Sequence, residues 1–171
     1  GHTRTALRPA LVQITTEPQY PRSLKGIKAD CRLRLLLGGG ELASSEGELL
    51  FTETGVSGPA AFDISRRVSE LGDAKCELEL DFLRDYSEAE TAAHLENRRD
   101  RCPELPASEL LTGSLHNRLG RMLVKYSGLD AVKPLRELSA DELGRAASAC
   151  KRFRLPVKGT EGFGSAQVTA G

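Results

Sequence analysis

Length, composition and charge limit the classes of protein to which this chain belongs. Its 171 residues suffice for one domain or two small lobes, and 39% hydrophobic with 28% charged residues is an ordinary globular balance. Lys plus Arg equals Asp plus Glu, so the formal net charge is zero, whereas nucleic-acid binders usually show a basic excess. No apolar run approaches the roughly 20 residues that span a bilayer, and residues 1–14 lack a secretory apolar core. We therefore expect a cytoplasmic protein without nucleic-acid or membrane partners.

Cysteines and histidines indicate neither a disulfide framework nor a metal site. No CxxC pair is present, so reduced structural thiols are the favoured interpretation and disulfides the alternative for Cys31, Cys76, Cys102 and Cys150. No histidine has metal-ligand spacing to a cysteine or a carboxylate; the three are His2, His94 and His116. We expect solvent-facing helical positions for His94 and His116, and no metal.

Strand signals dominate the chain before about residue 86. Residues 29–37 alternate apolar and polar side chains, Gly38-Gly39-Gly40 permits a tight reversal, and residues 41–51 return as the partner strand. Residues 76–82 alternate in the same way, so the carboxylates of this strand are predicted to form a solvated face: Glu77, Glu79 and Asp81. Shorter candidate strands cover residues 11–14 and 153–157. This pattern predicts an antiparallel sheet or a small barrel.

Helix signals dominate residues 87–150. Capping boxes begin at Ser87 and at Ser139, each with a glutamate three residues later. One helical face is shared by Leu115, Leu119, Met122, Leu123 and Tyr126, and Gly128 suits the end of that helix. The predicted fold class is α+β: a small antiparallel β-barrel-like lobe of residues 1–86 and 151–171, with an inserted α-helical lobe of residues 87–150.

A strand, a glycine-rich turn and a helix start are predicted over residues 47–59. Ser57 is a suitable N-cap and Pro59 suits the first helical turn, with Phe62, Ile64 and Val68 packing the helix and Gly72 ending it. The amide groups of such a helix start bind an anion or the polar edge of a ligand. The alternative is a capped helix that simply follows a strand.

A second glycine-rich segment covers residues 158–164. Gly162 and Gly164 share their spacing with a dinucleotide-binding fingerprint, but the third glycine is absent and no helical pattern follows, which excludes that motif. A long hairpin loop is the plain structural interpretation. No Gly-x-Ser-x-Gly elbow is present either, so a hydrolase that uses Ser57 is a weak hypothesis.

Several segments together resemble a known family, the BaiN-like (YhiN-like) NAD(P)/FAD-dependent oxidoreductases. The most specific pieces are Phe51-Thr52-x-x-Gly55-x-Ser57-Gly58-Pro59 and, at residues 166–171, Ala-Gln-Val-Thr-Ala-Gly. Further matches lie at residues 1–3, 9–12, 24–27, 47–52 and 159–163, and at Ser65. The sequence departs from the family at Glu53, where His is usual, and at Gln13, where Pro is common.

The resemblance implies that this chain is an insert within a larger FAD-binding domain. It implies a β-barrel-like lobe carrying a helical lobe, with residues 1 and 171 close together where both strands re-enter the flavin domain. The parent would transfer hydride through FAD, with NAD(P)H as reductant, and the isolated fragment would bind no cofactor and catalyse nothing. Its implied partners are the FAD-binding domain of the same polypeptide and a small-molecule substrate.

The resemblance also implies which segments face the pocket between the domains, at residues 52–59 and 158–163. The implied cofactor-binding or substrate-facing residues are Thr52, Gly55, Ser57, Gly58, Pro59, Lys158, Gly159 and Thr160. The alternative function is a free-standing β-barrel binding or interaction module. For nucleic acid, such a module would need a basic face, and Arg98, Arg99 and Arg101 form the densest basic group.

Overall fold

The computed structural model describes residues 7–170, and the chain divides into two compact units. The first, called here the barrel unit, runs up to Glu79 and resumes at Arg154. The second, the helical unit, is Leu80–Phe153. The predicted proximity of residues 1 and 171, and His2, lie outside the described residues.

The barrel is closed by six antiparallel strands in the order β2-β5-β4-β3-β6-β7, which confirms the predicted α+β class with a barrel. A separate antiparallel pair joins β1 to β8. The strands are β1 Arg8–Ala10, β2 Ile14–Thr16, β3 Lys28–Leu37, β4 Gly40–Phe51, β5 Gly55–Ser57, β6 Cys76–Asp81, β7 Phe153–Thr160 and β8 Val168–Ala170. The helices are α1 Gln19–Ser23, α2 Pro59–Leu71, α3 Glu88–Arg101, α4 Asn117–Tyr126 and α5 Ala140–Lys151. Short 3-10 helices cover Ala107–Glu109 and Leu135–Glu137.

The β3–β4 hairpin forms the longest part of the barrel wall, as its alternation predicts. Leu37 pairs with Gly40, so the reversal is the two-residue turn Gly38-Gly39, with φ of +58° and +85°. Left-handed φ at both central positions matches the right-handed twist of the flanking strands, and glycine adopts it without strain. The apolar face is fully buried at alternate positions, namely Cys31, Leu33 and Leu35.

Helix α2 covers the barrel with one apolar face. Pro59 occupies the first turn, where its missing N–H costs nothing, and Gly72 ends the helix with φ of +58°. Its buried residues are Ala60, Ala61, Ile64, Ser65 and Val68. The buried Ser65 hydroxyl accepts the Val12 N–H at 3.3 Å and donates to the Phe62 carbonyl at 2.8 Å, so its burial leaves no polar atom unsatisfied.

Both predicted capping boxes are present in the helical unit. The Ser87 hydroxyl accepts the Glu90 N–H at 3.2 Å, and the Glu90 carboxylate accepts the Ser87 N–H at 2.7 Å. Ser139 and Glu142 repeat the arrangement at 3.1 and 2.8 Å. Each box satisfies amide groups that a helix start otherwise leaves open, and so fixes the starts of α3 and α5.

Helix α4 starts later than the apolar pattern predicts. His116 is its N-cap, so Leu115 lies before the helix and not on its apolar face. The other predicted positions are buried or half-buried, namely Leu119, Met122, Leu123 and Tyr126. The Tyr126 ring packs edge-on against Phe153 at a centroid distance of 4.8 Å.

The predicted strand at residues 11–14 is wrong in its bounds. Leu11 has φ of +49°, which interrupts extended structure, so the chain forms β1 before it and β2 only from Ile14. No helix within residues 7–170 is long and apolar enough to cross a membrane.

Two carboxylates on β6 are buried, which corrects the prediction of a solvated acidic face. Glu79 is 5% exposed and lies between two neighbouring strands, 3.2 Å from Arg34 Nη1 and 3.0 Å from Arg154 Nη2. In the helical unit, Asp81 is 4% exposed and lies 2.7 Å from Lys151 Nζ. Buried charges of this kind are stable only when paired, and the pairing partners are distant in sequence.

Candidate functional site

Strand β2 brings the two predicted pocket-facing segments together in the barrel unit. Thr15 pairs with Gly55 of β5 on one side and with Gly159 of β7 on the other. The segments at residues 52–59 and 158–160, far apart in sequence, therefore flank the same strand of the barrel wall, with β2 between them. The structure shows this juxtaposition; that the segments face a cofactor or a substrate stays a prediction.

The turn between β4 and β5 is fixed by its own hydrogen bonds. Thr52 N–H donates to the Gly55 carbonyl at 2.9 Å, and Gly55 N–H donates to Thr52 Oγ1 at 3.1 Å. The turn is held to β2 by Thr16 N–H, which donates to the Thr54 carbonyl at 2.9 Å. Gln13 Nε2, where the resembled family commonly has proline, donates to Thr54 Oγ1 at 2.8 Å. Thr52 is thus a structural residue of this turn.

The glycines of this segment are required by close approach of the barrel's own backbone. A Cβ at Gly55 would lie 2.1 Å from the Ile14 carbonyl oxygen. Gly58 has φ of +93°, and a Cβ there would lie 2.9 Å from the Glu48 carbonyl oxygen. The space beside both glycines is therefore occupied by protein, and these residues do not fit a pyrophosphate cradle of the kind FAD needs.

Ser57 is a strand residue and not the N-cap of α2, which corrects the sequence prediction. It pairs with Leu50 in the β4–β5 ladder, and the N-cap is Gly58, which makes no side-chain capping bond. The Ser57 side chain is half-buried and has no hydrogen-bond partner within the described residues. Pro59, the last residue of the segment, is exposed. Ser57 and Pro59 are therefore the members of this segment whose side chains are left for another partner.

The second segment begins on β7 and continues into a loop, since the strand ends at Thr160 and residues 161–164 have no helix or strand. Lys158 is exposed, with its Nζ 3.1 Å from Glu17 Oε1. The Thr160 hydroxyl lies 3.2 Å from that of Ser69, which donates to the Pro9 carbonyl at 2.9 Å. Thr160 therefore helps to join β7, α2 and β1, whereas Lys158 is held only by one solvent-exposed ion pair.

Glu53, which stands where the resembled family usually has histidine, is paired with a lysine. Its Oε2 lies 2.9 Å from Lys25 Nζ, and both side chains are more than half exposed. The hydrogen bond and the charge of Lys25 hold the pKa of the Glu53 carboxyl below its ordinary value. Glu53 is thus an anion at neutral pH and does not offer the neutral or cationic donor that histidine supplies.

Histidine and cysteine chemistry is separate from these segments. Among residues 7–170, no group of three or more His, Cys, Asp or Glu side chains could hold a metal ion. His94 lies exposed on α3, and the exposed His116 caps α4, its Nδ1 accepting the Arg118 N–H at 3.2 Å. The four cysteines form no disulfide, and burial raises the pKa of the Cys150 thiol to about 12.

The fold is that of a closed six-stranded barrel whose chain is interrupted by a helical unit. A family model described as HI0933-like protein barrel and H2TH domain matches residues 8–168, so the chain belongs to that family. It is also 32% identical over 173 residues to a 3-dehydro-bile acid delta(4,6)-reductase of Clostridium scindens. That match covers all of this chain and 42% of the relative's length. The predicted resemblance to the BaiN-like flavoprotein family is confirmed.

Proposed function

We propose that this chain is the insert domain of a larger FAD-dependent, NAD(P)H-linked oxidoreductase and is not catalytic alone. The observation that carries the proposal is the match to a reductase over this whole chain but only 42% of the reductase's length. In the proposed parent, the flavin supplies hydride transfer, and the FAD-binding domain of the same polypeptide is the partner of this chain. The closely packed glycines at residues 55 and 58 support an FAD site outside the fragment.

In this proposal the barrel unit covers the flavin and shapes the pocket for a small-molecule substrate. The two segments that flank β2 are its pocket-facing surface. Ser57 and Lys158 are the side chains that this role uses, because neither is needed inside the barrel. A cytoplasmic location is part of the proposal and agrees with the buried thiols of Cys76 and Cys150.

Flavin titration of the full-length parent and of the 171-residue chain tests the cofactor assignment. We expect the parent to bind FAD and to show flavin absorbance, and the isolated chain to bind none. Tight FAD binding by the isolated chain would show that the cofactor site is in this fragment. A parent without flavin would refute the proposed function altogether.

Two variants of the parent test the pocket-facing surface. Ser57→Ala removes a hydroxyl group and Lys158→Gln a positive charge from the proposed pocket. We expect each to weaken FAD or substrate binding by roughly fivefold, which corresponds to about 1 kcal/mol. Lys28→Gln is the matched control, because its ion pair with Glu48 on the barrel surface is equally exposed and of similar length, 2.9 Å. If Ser57→Ala and Lys158→Gln both bind FAD and substrate as tightly as the Lys28→Gln control and the unchanged parent, these segments do not face the pocket.

A further inference from the structure

Two adjoining grooves lie along α3 in the helical unit. Their volumes are about 680 and 390 Å³, within the range typical of small-molecule sites. Four lining residues belong to both grooves, namely His94, Asn97, Gly113 and Ser114. At the place where the grooves meet, His94 Nε2 and Ser114 Oγ are 3.1 Å apart, which ties α3 to the turn before α4.

The smaller groove is cationic. Arg98 and Arg101 line it, and its lining contains no Asp or Glu. Arg101 is exposed and makes no ion pair or hydrogen bond with any described residue. Arg98 Nε is a buried donor without a partner, the one such side-chain atom found across residues 7–170. A buried N–H group of this kind is normally satisfied by an acceptor, and Arg98 Nε has none among the described residues.

Neighbouring charges leave these two arginines available. Arg99, between them in sequence, is engaged by Asp100 at 2.9 Å and by the Leu138 carbonyl at 3.3 Å. The pKa of the nearby Glu109 carboxyl is lowered mainly by hydrogen bonds from Thr112 and Arg121, and least by the charge of Arg98. Both of its oxygens already accept hydrogen bonds from Thr112 and Arg121. The positive charge of the groove is therefore only partly balanced within the helical unit.

The larger groove adds an apolar and aromatic surface to the cationic one. Leu83, Tyr86 and Ala93 line it, and Tyr86 is 57% exposed, so its ring is accessible to a ligand. Glu90 also lines this groove, but one of its carboxylate oxygens is used by the capping box of α3. The combined groove thus joins an aromatic wall to a cationic end.

We propose that this groove binds a small organic anion with a flat aromatic or apolar body. Its phosphate or carboxylate group lies between Arg98 and Arg101, within reach of the polar groups of Asn97 and Ser114. Its body lies against Tyr86. Arginine suits both anions because its N–H groups match the geometry of their oxygens. The site does not depend on the proposed flavoenzyme role.

Calorimetric titration of the 171-residue chain at constant ionic strength tests the site. Phenyl phosphate and benzoate distinguish the two anionic groups, and we expect saturable binding of at least one with Kd below about 1 mM. Arg101→Gln should weaken that binding by roughly fivefold or more. Lys125→Gln is the matched control, since Lys125 is exposed on α4, carries the same charge and lies away from the groove.

Tyr86→Ala separates recognition of the body from recognition of the charge. We expect it to weaken phenyl phosphate binding and to leave the weaker binding of inorganic phosphate unchanged. The proposal is overturned if neither organic anion saturates the chain, or if Lys125→Gln weakens binding as much as Arg101→Gln does. Inorganic phosphate binding as tightly as phenyl phosphate would overturn the assignment of an organic ligand. Circular dichroism of each variant verifies that the fold is retained.

Discussion

Replacing Gly55 by alanine tests whether the glycine-rich turn serves the barrel itself. The added Cβ would lie 2.1 Å from the Ile14 carbonyl oxygen and 3.0 Å from the Thr15 Cα, and both are backbone atoms of the paired strand. Since a Cβ contact shorter than 3.0 Å is not tolerated, β2 and β5 must separate locally. Overpacking costs about 1–3 kcal/mol and each broken backbone hydrogen bond about 1 kcal/mol, so we expect a loss of about 3 kcal/mol or more.

Urea unfolding followed by circular dichroism measures this loss. For a chain of this size, the expected destabilisation corresponds to a fall in Tm of roughly 6–12 °C. Gly162→Ala is the control in the same unit, because a Cβ there meets no atom within 4 Å and its φ is not left-handed. Unchanged stability of Gly55→Ala, with lost flavin binding in the parent, would refute the reasoning and make the glycine a ligand-contacting residue.

Two further predictions concern charged groups of the helical unit. Lys151→Met leaves the Asp81 carboxylate buried without its cation, so the free energy of unfolding should fall by about 3–5 kcal/mol. Adding Asp81→Asn removes the unpaired charge and should restore part of this loss. A loss below about 1 kcal/mol for Lys151→Met would contradict the prediction. The pKa of the Glu142 carboxyl is lowered from 4.5, first by the hydrogen bond from the Ser139 backbone N–H and then by the hydrogen bond from Lys133. The contribution of Glu142 to stability is therefore complete above pH 4.5 and is lost as the pH falls through the lowered pKa. Glu142→Gln should therefore destabilise the chain at neutral pH but not in strong acid, and urea curves at both pH values measure the difference.

Local patterns predicted the elements whose residues interact within a short stretch of sequence. The β3–β4 hairpin was predicted from the alternation of apolar and polar residues and from Gly38 and Gly39. These two consecutive glycines form the turn without any contact distant in sequence. Capping boxes at Ser87 and Ser139 followed for the same reason, since each joins residues three apart. Such interactions can be predicted from the sequence because their partners are close together in the chain.

Long-range pairing could not be predicted in this way. Strand β5 has only three residues, and it exists because β2 and β4 flank it on both sides. The assignment of Ser57 as a helix cap failed for that reason, since its backbone is drawn into the ladder opposite Leu50. Burial of Glu79 likewise depends on Arg34 and Arg154, which lie 45 and 75 residues away. Tertiary contacts override local preference at these positions.

The barrel divides the residues of the family-like segments into two groups with different consequences. Neighbouring backbone fills the space beside Gly55 and Gly58, and Thr52 stabilises the turn by hydrogen bonding. Substitution of any of these residues therefore disturbs the barrel itself, whether or not it also affects a ligand site. Loss of flavin binding in such variants would not identify a contact. Ser57 and Lys158 lie in the same two segments without a required role in the barrel. Their variants therefore report on the surface itself, and the proposed pocket is best tested there.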